Sequence, residues 1–387
     1  MKNKLHQIFY RIYGHNRPIR TFFSPGRVNL IGEHIDYNGG YVFPTALSIG
    51  TYGAIALRDD LQINLYSENF KNQGIISVSL HDLVYRKEHG WANYPKGVIL
   101  ELINQGYSLN QGFDIAIFGD LPNSSGLSSS ASIECLIAVM MNDLFHLNIA
   151  RPTLAVLCKQ VENHYIGVNC GIMDQFIIAN GIENHGLLLD CQTLAFTPVE
   201  LYMQDYSIVI CNSKVKRGLV DSKYNERRDE CERALKVFQN HLSIENLCDM
   251  SLVQFETFKD YLNDEILLKR SRHAVTENQR AVAAVKQFQD HNLFAFGQAM
   301  NQSHLSLKND YEVSCDELDV LVELALKNGA IGSRMTGAGF GGCTVNIVKT
   351  DTIHSFKEAV LKGYFDRFGI QGEIYEAIAS DGTKEIE

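Results

Sequence analysis

The sequence predicts an α+β fold in two halves, and three observations carry that prediction. Strand-like and helix-like segments are mixed along the chain without the regular strand–helix–strand alternation of a doubly wound sheet. Hydrophobic residues make up 45% and charged residues 21%, a balance that supports a packed core. The length, 387 residues, exceeds what a single core usually serves. Seven prolines and no low-complexity linker leave the boundary unpunctuated, and a division near residue 190 gives halves 1–190 and 191–387.

Taken in order, Met1–Tyr10 carries lysines but no apolar stretch or cleavage-site pattern, so no signal peptide is expected. Thr51–Leu57 and Gln62–Tyr66 read as adjacent strands and Phe113–Phe118 as a third. The clearest helix starts near Ser128, because Ile133, Leu136, Ile137, Met140, Met141, Leu144 and Phe145 recur on one helical face. A second helix from about Thr153 places Leu154, Leu157, Val161 and Tyr165 on one side. Tyr206–Cys211 is a strand leading into a charged helix from about Asp221. The stretch Ser243 to Phe296 is mainly helical, and Thr344–Val348 is a strand after a glycine loop.

Charge and cysteine usage narrow the functional classes. With 35 basic and 45 acidic residues the net charge is -10, which excludes a bulk basic surface for nucleic acid. The longest apolar stretch, near Cys135–Met141, falls far short of the ~18 residues of a membrane span. Nine scattered cysteines without a C-x-x-C pair read as free thiols in a reducing compartment, not as a disulfide frame or a zinc site. The expectation is a cytoplasmic protein that needs no nucleic acid, membrane or obligate protein partner.

Three segments carry candidate chemistry. Leu121-Pro122-Asn123-Ser124-Ser125-Gly126-Leu127-Ser128-Ser129-Ser130-Ala131-Ser132 follows a strand and opens the strongest helix. Unpaired N–H groups and the positive dipole end at such a position can hold phosphate, and the serine hydroxyls can add hydrogen bonds or a magnesium ligand. A plain N-cap also explains one serine, although not three in a row. Thr336-Gly337-Ala338-Gly339-Phe340-Gly341-Gly342-Cys343 reads either as a close backbone approach to another group or as a hairpin turn. Ser24 to Gly40 packs Arg27, Asn29, Glu33, His34, Asp36 and Asn38 between glycines, with apolar Val28, Leu30 and Ile31 pinning it to a core. Such convergent polar groups suit a small polyhydroxylated ligand. No G-x-x-x-x-G-K-[ST] loop, dinucleotide fingerprint or protein-kinase motif set occurs.

The segment Gly26-Arg27-Val28-Asn29-Leu30-Ile31-Gly32-Glu33-His34-Ile35-Asp36-Tyr37-Asn38-Gly39-Gly40 resembles the galactokinase signature. Leu121–Ser132 and Thr336–Cys343 resemble two motifs of the wider GHMP kinases, the superfamily of galactokinase, homoserine, mevalonate and phosphomevalonate kinases. Trp91-Ala92-Asn93-Tyr94, the run from Gly167 to Phe176, and Tyr224-Asn225-Glu226-Arg227-Arg228 match as well, in the family's order. The resemblance implies a two-domain GHMP kinase-like fold with its active site in the interdomain cleft. It implies transfer of the γ-phosphoryl of ATP to the anomeric hydroxyl of galactose, with Mg2+ as cofactor. Asp174 and Arg27 would be catalytic, and Glu33, His34, Ile35, Asp36 and Tyr224 would bind the sugar. Ser124, Ser125, Gly126, Leu127, Ser128, Ser129 and Ser130 would wrap the phosphates, with Ser67 and Trp91 near the nucleotide. Ser130 and Glu162 would hold magnesium. One departure is Ser124, where the usual ATP motif has glycine. Two alternatives stand beside this reading: a GHMP kinase for another substrate, such as N-acetylgalactosamine, and a catalytically inactive galactose sensor. Gly126–Ser132 and Asp174 are intact, which favours an enzyme. His164, His273 and His304 are expected to be packing residues.

Overall fold

The computed structural model describes residues 1–15, 17–121, 126–215 and 220–386. Its first sheet has six strands in the order Lys384–Glu385, Arg20–Asn29, Pro44–Leu57, Phe113–Gly119, Gln62–Ser67 and Ile76–Ser79. Neighbours run antiparallel except Phe113–Gly119 and Gln62–Ser67, which are parallel. The strands around residues 51–57 and 62–66 are therefore not neighbours, contrary to the sequence reading, because a later strand inserts between them. Their short link crosses the end of the inserted strand: Arg58 N–H donates to the Gly112 carbonyl at 2.8 Å and Gly112 N–H to that of Asp60 at 2.6 Å. Buried Asp114, on the inserted strand, ties both sides by accepting from Arg58 Nη1 at 3.1 Å and Asn64 Nδ2 at 2.7 Å.

Both faces of this sheet are covered. Leu5, Ile8 and Phe9 of the helix Lys2–Tyr13 pack on Ala54, Ala56 and Ala116. The opposite face receives the helix Ser129–Leu144, apolar around most of its circumference and correspondingly buried. Gly53 sets how closely that helix approaches, since a Cβ there would overlap Met140 Cε.

The second sheet is antiparallel, in the order Gly332–Thr336, Cys343–Lys349, Tyr206–Asn212, Glu373–Ala377. Strand alternation divides its side chains. Ile208 and Ile210 face Ala281, Val285 and Phe296 of two long helices, whereas Val209 and Cys211 face Leu321, Phe356 and Val360 of another pair. A third, three-stranded sheet joins Tyr41–Val42, His185–Asp190 and Phe196–Glu200. The end of the chain returns to the first sheet: Ile386 N–H donates to the Thr21 carbonyl at 2.8 Å, and the Thr383 and Ser24 hydroxyls lie 2.8 Å apart. A division into 1–190 and 191–387 thus leaves one strand of the first sheet in the second half. Among the described residues, no helix is long and apolar enough to cross a membrane, and the nine cysteines are free.

Candidate active site

A cavity of about 210 Å³ lies between the two sheets' loops, lined among others by Arg27, Glu33, Asp36, Ser130, Glu162, Asp174 and Tyr224. Arg27 lies beside a bulge. The pairing of Arg20–Asn29 with its neighbour slips between Pro25, opposite Gly50, and Arg27, opposite Ala46, the extra residues lying in the neighbouring strand. Gly26 lets the strand pass close to Leu127, because a Cβ there would lie 2.8 Å from the Leu127 carbonyl oxygen. That same carbonyl accepts from Arg27 N–H at 3.2 Å.

The buried guanidinium meets Asp174 in two parallel hydrogen bonds, Nε to Oδ1 at 2.9 Å and Nη2 to Oδ2 at 3.0 Å. Its Nη1 donates to the Gly126 carbonyl at 2.5 Å. Ser128 Oγ donates to Asp174 Oδ2 as well. Asp174 sits in the first turn of the helix Met173–Asn180. Ser128, at φ 62°, is a left-handed lead-in to the helix Ser129–Leu144. The first bond of that helix is Ser132 N–H to the Ser128 carbonyl at 3.0 Å, so the N–H groups ahead of it have no intrahelical acceptor. Unpaired N–H groups and the positive end of the dipole at such a helix start can hold an anion.

Ser129 and Ser130 border both this cavity and a second one of about 140 Å³, which Ser67, Trp91 and Tyr94 also line. Leu127 turns into the core at 1% exposure and offers the site only backbone. Ser124 and Ser125 lie outside the described residues. The glycine-rich segment is a hairpin, with Thr336 opposite Cys343, and it also closes on the site. Gly337 and Ala338 line the cavity, and a Cβ on Gly337 would lie 2.8 Å from the Gly126 carbonyl oxygen.

Glu162 is delivered by a change of helix type. The helix Arg151–Gln160 continues as a π-helical turn, Val161–Ile166, stopped by Gly167 at φ 92°. Glu162 is buried, its Oε2 accepting from Gln175 Nε2 at 2.9 Å and standing 3.5 Å from Ser130 Oγ. Gln175 Nε2 also donates to Glu134 Oε2 at 3.2 Å. Burial, and then the nearby Glu162 charge, push the Glu134 carboxyl well above the usual carboxylate range.

On the side of the cleft built by the segment Ser24 to Gly40, Asp36 Oδ2 accepts from Met173 N–H at 3.4 Å. Gly171 lies so close that a Cβ there would overlap this carboxylate. Burial, and secondarily the Asp174 charge, push Asp36 up to about 6. Glu33 pairs with the buried Arg334, and burial outweighs that partner to hold its carboxyl above the usual range. His34 stands at φ 60° with both ring nitrogens in contact with Tyr37 and Ala338. Ile35 does not reach the cavity: it is fully buried against Gly40, and only its carbonyl is used, accepting from the N–H groups of Asn38 and Gly40. An aliphatic side chain in a signature otherwise rich in polar residues is drawn into the core. His273 is buried behind the site, its Nε2 3.0 Å from the Glu33 carbonyl oxygen. Gln175 lies in the run from Gly167 to Phe176 but was given no role there, and Glu134, Arg334 and Tyr311 escaped the sequence reading, because each joins the site through side-chain packing that no local motif announces.

Three family models match the chain: the galactokinase galactose-binding signature over residues 7–57, the GHMP kinases N-terminal domain over 93–181 and the GHMP kinases C-terminal domain over 284–366. The chain is 54% identical over 367 residues to a galactokinase of Clostridium beijerinckii, covering 95% of this chain and 94% of that one. It is 47% identical to a galactokinase of Bacillus subtilis, covering 100% and 99%. Its fold superposes on the crystal structure of Lactococcus lactis galactokinase complexed with galactose with a TM-score of 0.98, at 46% identity and full coverage of both chains. Methanococcus jannaschii mevalonate kinase shares the fold at 19% identity and a TM-score of 0.66, covering 95% and 99%.

Proposed function

The chain belongs to the galactokinase family of ATP-dependent sugar kinases, and we propose that its cleft carries the γ-phosphoryl of ATP to the anomeric hydroxyl of galactose, giving galactose 1-phosphate and ADP. The observation that supports this most directly is the Arg27–Asp174 pair, set beside the start of the helix Ser129–Leu144 and opposite the carboxylates of Glu33 and Asp36.

In this reading Asp36, Glu33 and Tyr224 take the sugar hydroxyls, while the N–H groups and hydroxyls from Ser128 to Ser130 take the phosphates. Ser67 and Trp91 face the nucleotide from the second cavity. Asp174 accepts the hydrogen bond of the anomeric hydroxyl. As that oxygen bonds to the γ-phosphorus, the bond to the β,γ-bridging oxygen breaks, ADP leaves with its electrons, and the proton passes to Asp174 Oδ. Arg27 keeps the carboxylate aimed and places positive charge beside the moving phosphoryl group. The Ser130 hydroxyl and the Glu162 carboxylate fit a hard divalent cation, being all-oxygen donors that face the cavity 3.5 Å apart. These two groups would hold Mg2+, which would supply neutralisation of phosphate charge. In-line positioning and charge neutralisation do most of the work in phosphoryl transfer, so this donor set suffices.

A coupled ADP-release assay with galactose, N-acetylgalactosamine, mevalonate and homoserine tests the reading. Turnover of galactose far above the other three is expected; preference for another acceptor, or no turnover with any, overturns it.

A further inference from the structure

Behind the sugar side of the cleft runs a closed set of side-chain hydrogen bonds that phosphoryl transfer does not explain. His34 Nε2 lies 3.2 Å from the Ala338 carbonyl oxygen and His34 Nδ1 lies 2.8 Å from the Tyr37 hydroxyl. That hydroxyl is 2.8 Å from the Tyr311 hydroxyl, which is 3.1 Å from Cys231 Sγ. Asn38 Nδ2 closes the circuit, donating to Cys231 Sγ at 3.7 Å and to the His34 carbonyl at 3.0 Å.

The hydrogens in this set have one consistent direction. A carbonyl only accepts, so His34 Nε2 carries a hydrogen. Burial, reinforced by His273, pushes the His34 imidazolium down to about 3, so the ring is neutral and Nδ1 accepts. The Tyr37 hydroxyl must then donate to Nδ1. Its one hydrogen being used, Tyr311 donates to Tyr37, and the Cys231 thiol donates to Tyr311. Each step fixes the next.

Tyr311 is itself held in place from several sides. Arg227 Nε donates to the Tyr311 carbonyl at 2.9 Å and its Nη2 to that of Glu312 at 3.2 Å. Buried Arg270 donates to the Asp310 carbonyl at 2.6 Å. The Val313 carbonyl accepts from Phe340 N–H at 2.7 Å, joining this segment to the glycine-rich hairpin. The Tyr311 ring lies tilted against the rings of His34 and His273, at 4.9 and 4.5 Å between centroids. A conformation such as the positive φ of His34 persists only where its surroundings hold it.

We propose that Tyr311 is a positioning residue for sugar binding: by donating to Tyr37 it holds the Tyr37 hydroxyl against the Nε2–H tautomer of His34 that the Ala338 carbonyl selects, and so steadies the turn from Glu33 to Asp36 that presents the sugar-binding carboxylates. The proposal rests on the reading of this cavity as the galactose site. It assigns His34 an anchoring role for its ring, because both ring nitrogens are engaged by the protein.

The test compares Tyr311→Phe with the wild type by calorimetric galactose titration without nucleotide, by steady-state kinetics, and by 15N imidazole NMR of His34, assigned by its loss in His34→Gln. The wild type should show a single Nε2–H tautomer. Tyr311→Phe should weaken galactose binding roughly 5–20-fold, the scale of one or two buried hydrogen bonds. The KM for ATP and kcat should stay within about 2-fold, because Tyr311 touches neither nucleotide nor the reacting atoms. Wild-type galactose affinity in folded Tyr311→Phe, or a wild-type His34 found as the Nδ1–H tautomer or the imidazolium, overturns the proposal. If Tyr311→Phe does not fold, Cys231→Ser and Cys231→Ala decide. Serine keeps the donor and should bind galactose like the wild type, alanine should bind it less tightly, and equal affinities overturn the proposal. Failure of the wild type itself to bind galactose would instead remove the reading on which the proposal rests.

Discussion

Asp36 shares its corner of the cleft with Asp174, and this gives galactose binding a pH dependence. Burial and the Asp174 charge raise the Asp36 carboxyl to about 6, above the unfolded value of about 3.9. As pH falls through about 6, an acceptor for sugar hydroxyls becomes protonated, so the KM for galactose should rise, and Asp36→Asn should flatten that rise. The linkage has a definite sign. A folded-state pKa above the unfolded one means that the native protein binds this proton more tightly, so Asp36 detracts from stability as pH rises from about 4 to 6 and beyond. At pH 8, Asp36→Asn should therefore melt no lower than the wild type while binding galactose less well, a difference that scanning calorimetry and titration read separately. Asp174 is held by hydrogen bonds from Arg27 and Ser128. Asp174→Asn keeps the shape but loses the proton acceptor, and kcat should fall by roughly 10²-fold or more with a smaller change in galactose affinity; turnover near the wild-type rate would remove Asp174 from its role. Asp36 stood out in the polar segment from Ser24 to Gly40, and Asp174 through the family resemblance of the run from Gly167 to Phe176. Tyr311 stood out in neither way: its hydroxyl reaches His34 through Tyr37, 274 residues away in sequence from its hydrogen-bond partner.

Two local irregularities border the site, and each carries an expected outcome. At the bulge, Gly26→Ala would place a Cβ 2.8 Å from a backbone carbonyl and 2.5 Å from Leu121 Cδ2. The strand must shift, and Arg27 with it. Overpacking of this kind costs about 1–3 kcal/mol of stability, and kcat should fall by roughly 10-fold or more, since a misplacement of about 1 Å costs up to 10²-fold. Unaltered kcat in a variant with a lowered denaturation midpoint would show that the bulge serves packing alone. At the π-helical turn, Glu162→Gln should raise the magnesium concentration for half-maximal activity and weaken Mn2+ binding read by electron paramagnetic resonance, with galactose binding measured without nucleotide nearly unchanged. An unmoved metal titration would take Glu162 out of the metal site. Helical periodicity revealed the two helices that carry Ser130 and Glu162, because one-sided apolar spacing survives in any sequence. It did not reveal the π-helical turn, nor that Glu134 stacks one turn beyond Ser130, because the helix Ser129–Leu144 is buried on nearly all sides and no face marks the site. Strand order was lost for a related reason: the strand Phe113–Gly119 inserts by a non-local pairing that neither flanking strand encodes.

The two sheets are joined through the signature segment itself. Its polar residues suggested a ligand-binding loop, yet its backbone and the Glu33 side chain also serve the opposite half of the molecule. The Asn29 carbonyl accepts from Arg334 Nη1 at 2.9 Å, Gly32 N–H donates to Glu277 Oε1 at 3.0 Å, and Glu33 pairs with Arg334. Arg334 lies on the strand Gly332–Thr336 of the second sheet, and both it and Glu33 are almost completely buried. A polar residue that binds ligand and one that binds the other domain look alike in sequence, since both need a partner in a dry place. Arg334→Met distinguishes them. It keeps much of the apolar volume but leaves Glu33 as a buried charge without its counter-ion, a loss worth about 3–5 kcal/mol where one partner of a buried pair is removed. The Glu33 carboxyl is already held above its ordinary range by burial, and losing the guanidinium raises it further. The folded variant then binds a proton that the unfolded chain releases above about pH 4.3. Stability should fall as pH rises, so the deficit against the wild type should be larger at pH 8 than at pH 5 in urea unfolding midpoints. Adding Glu33→Gln should recover part of the loss at pH 8 and remove its pH dependence, without restoring galactose binding, because the same carboxylate is proposed to take a sugar hydroxyl. A deficit independent of pH, or left unchanged by the second substitution, would show that Arg334 holds the sheets together through the Asn29 carbonyl and not through its charge on Glu33.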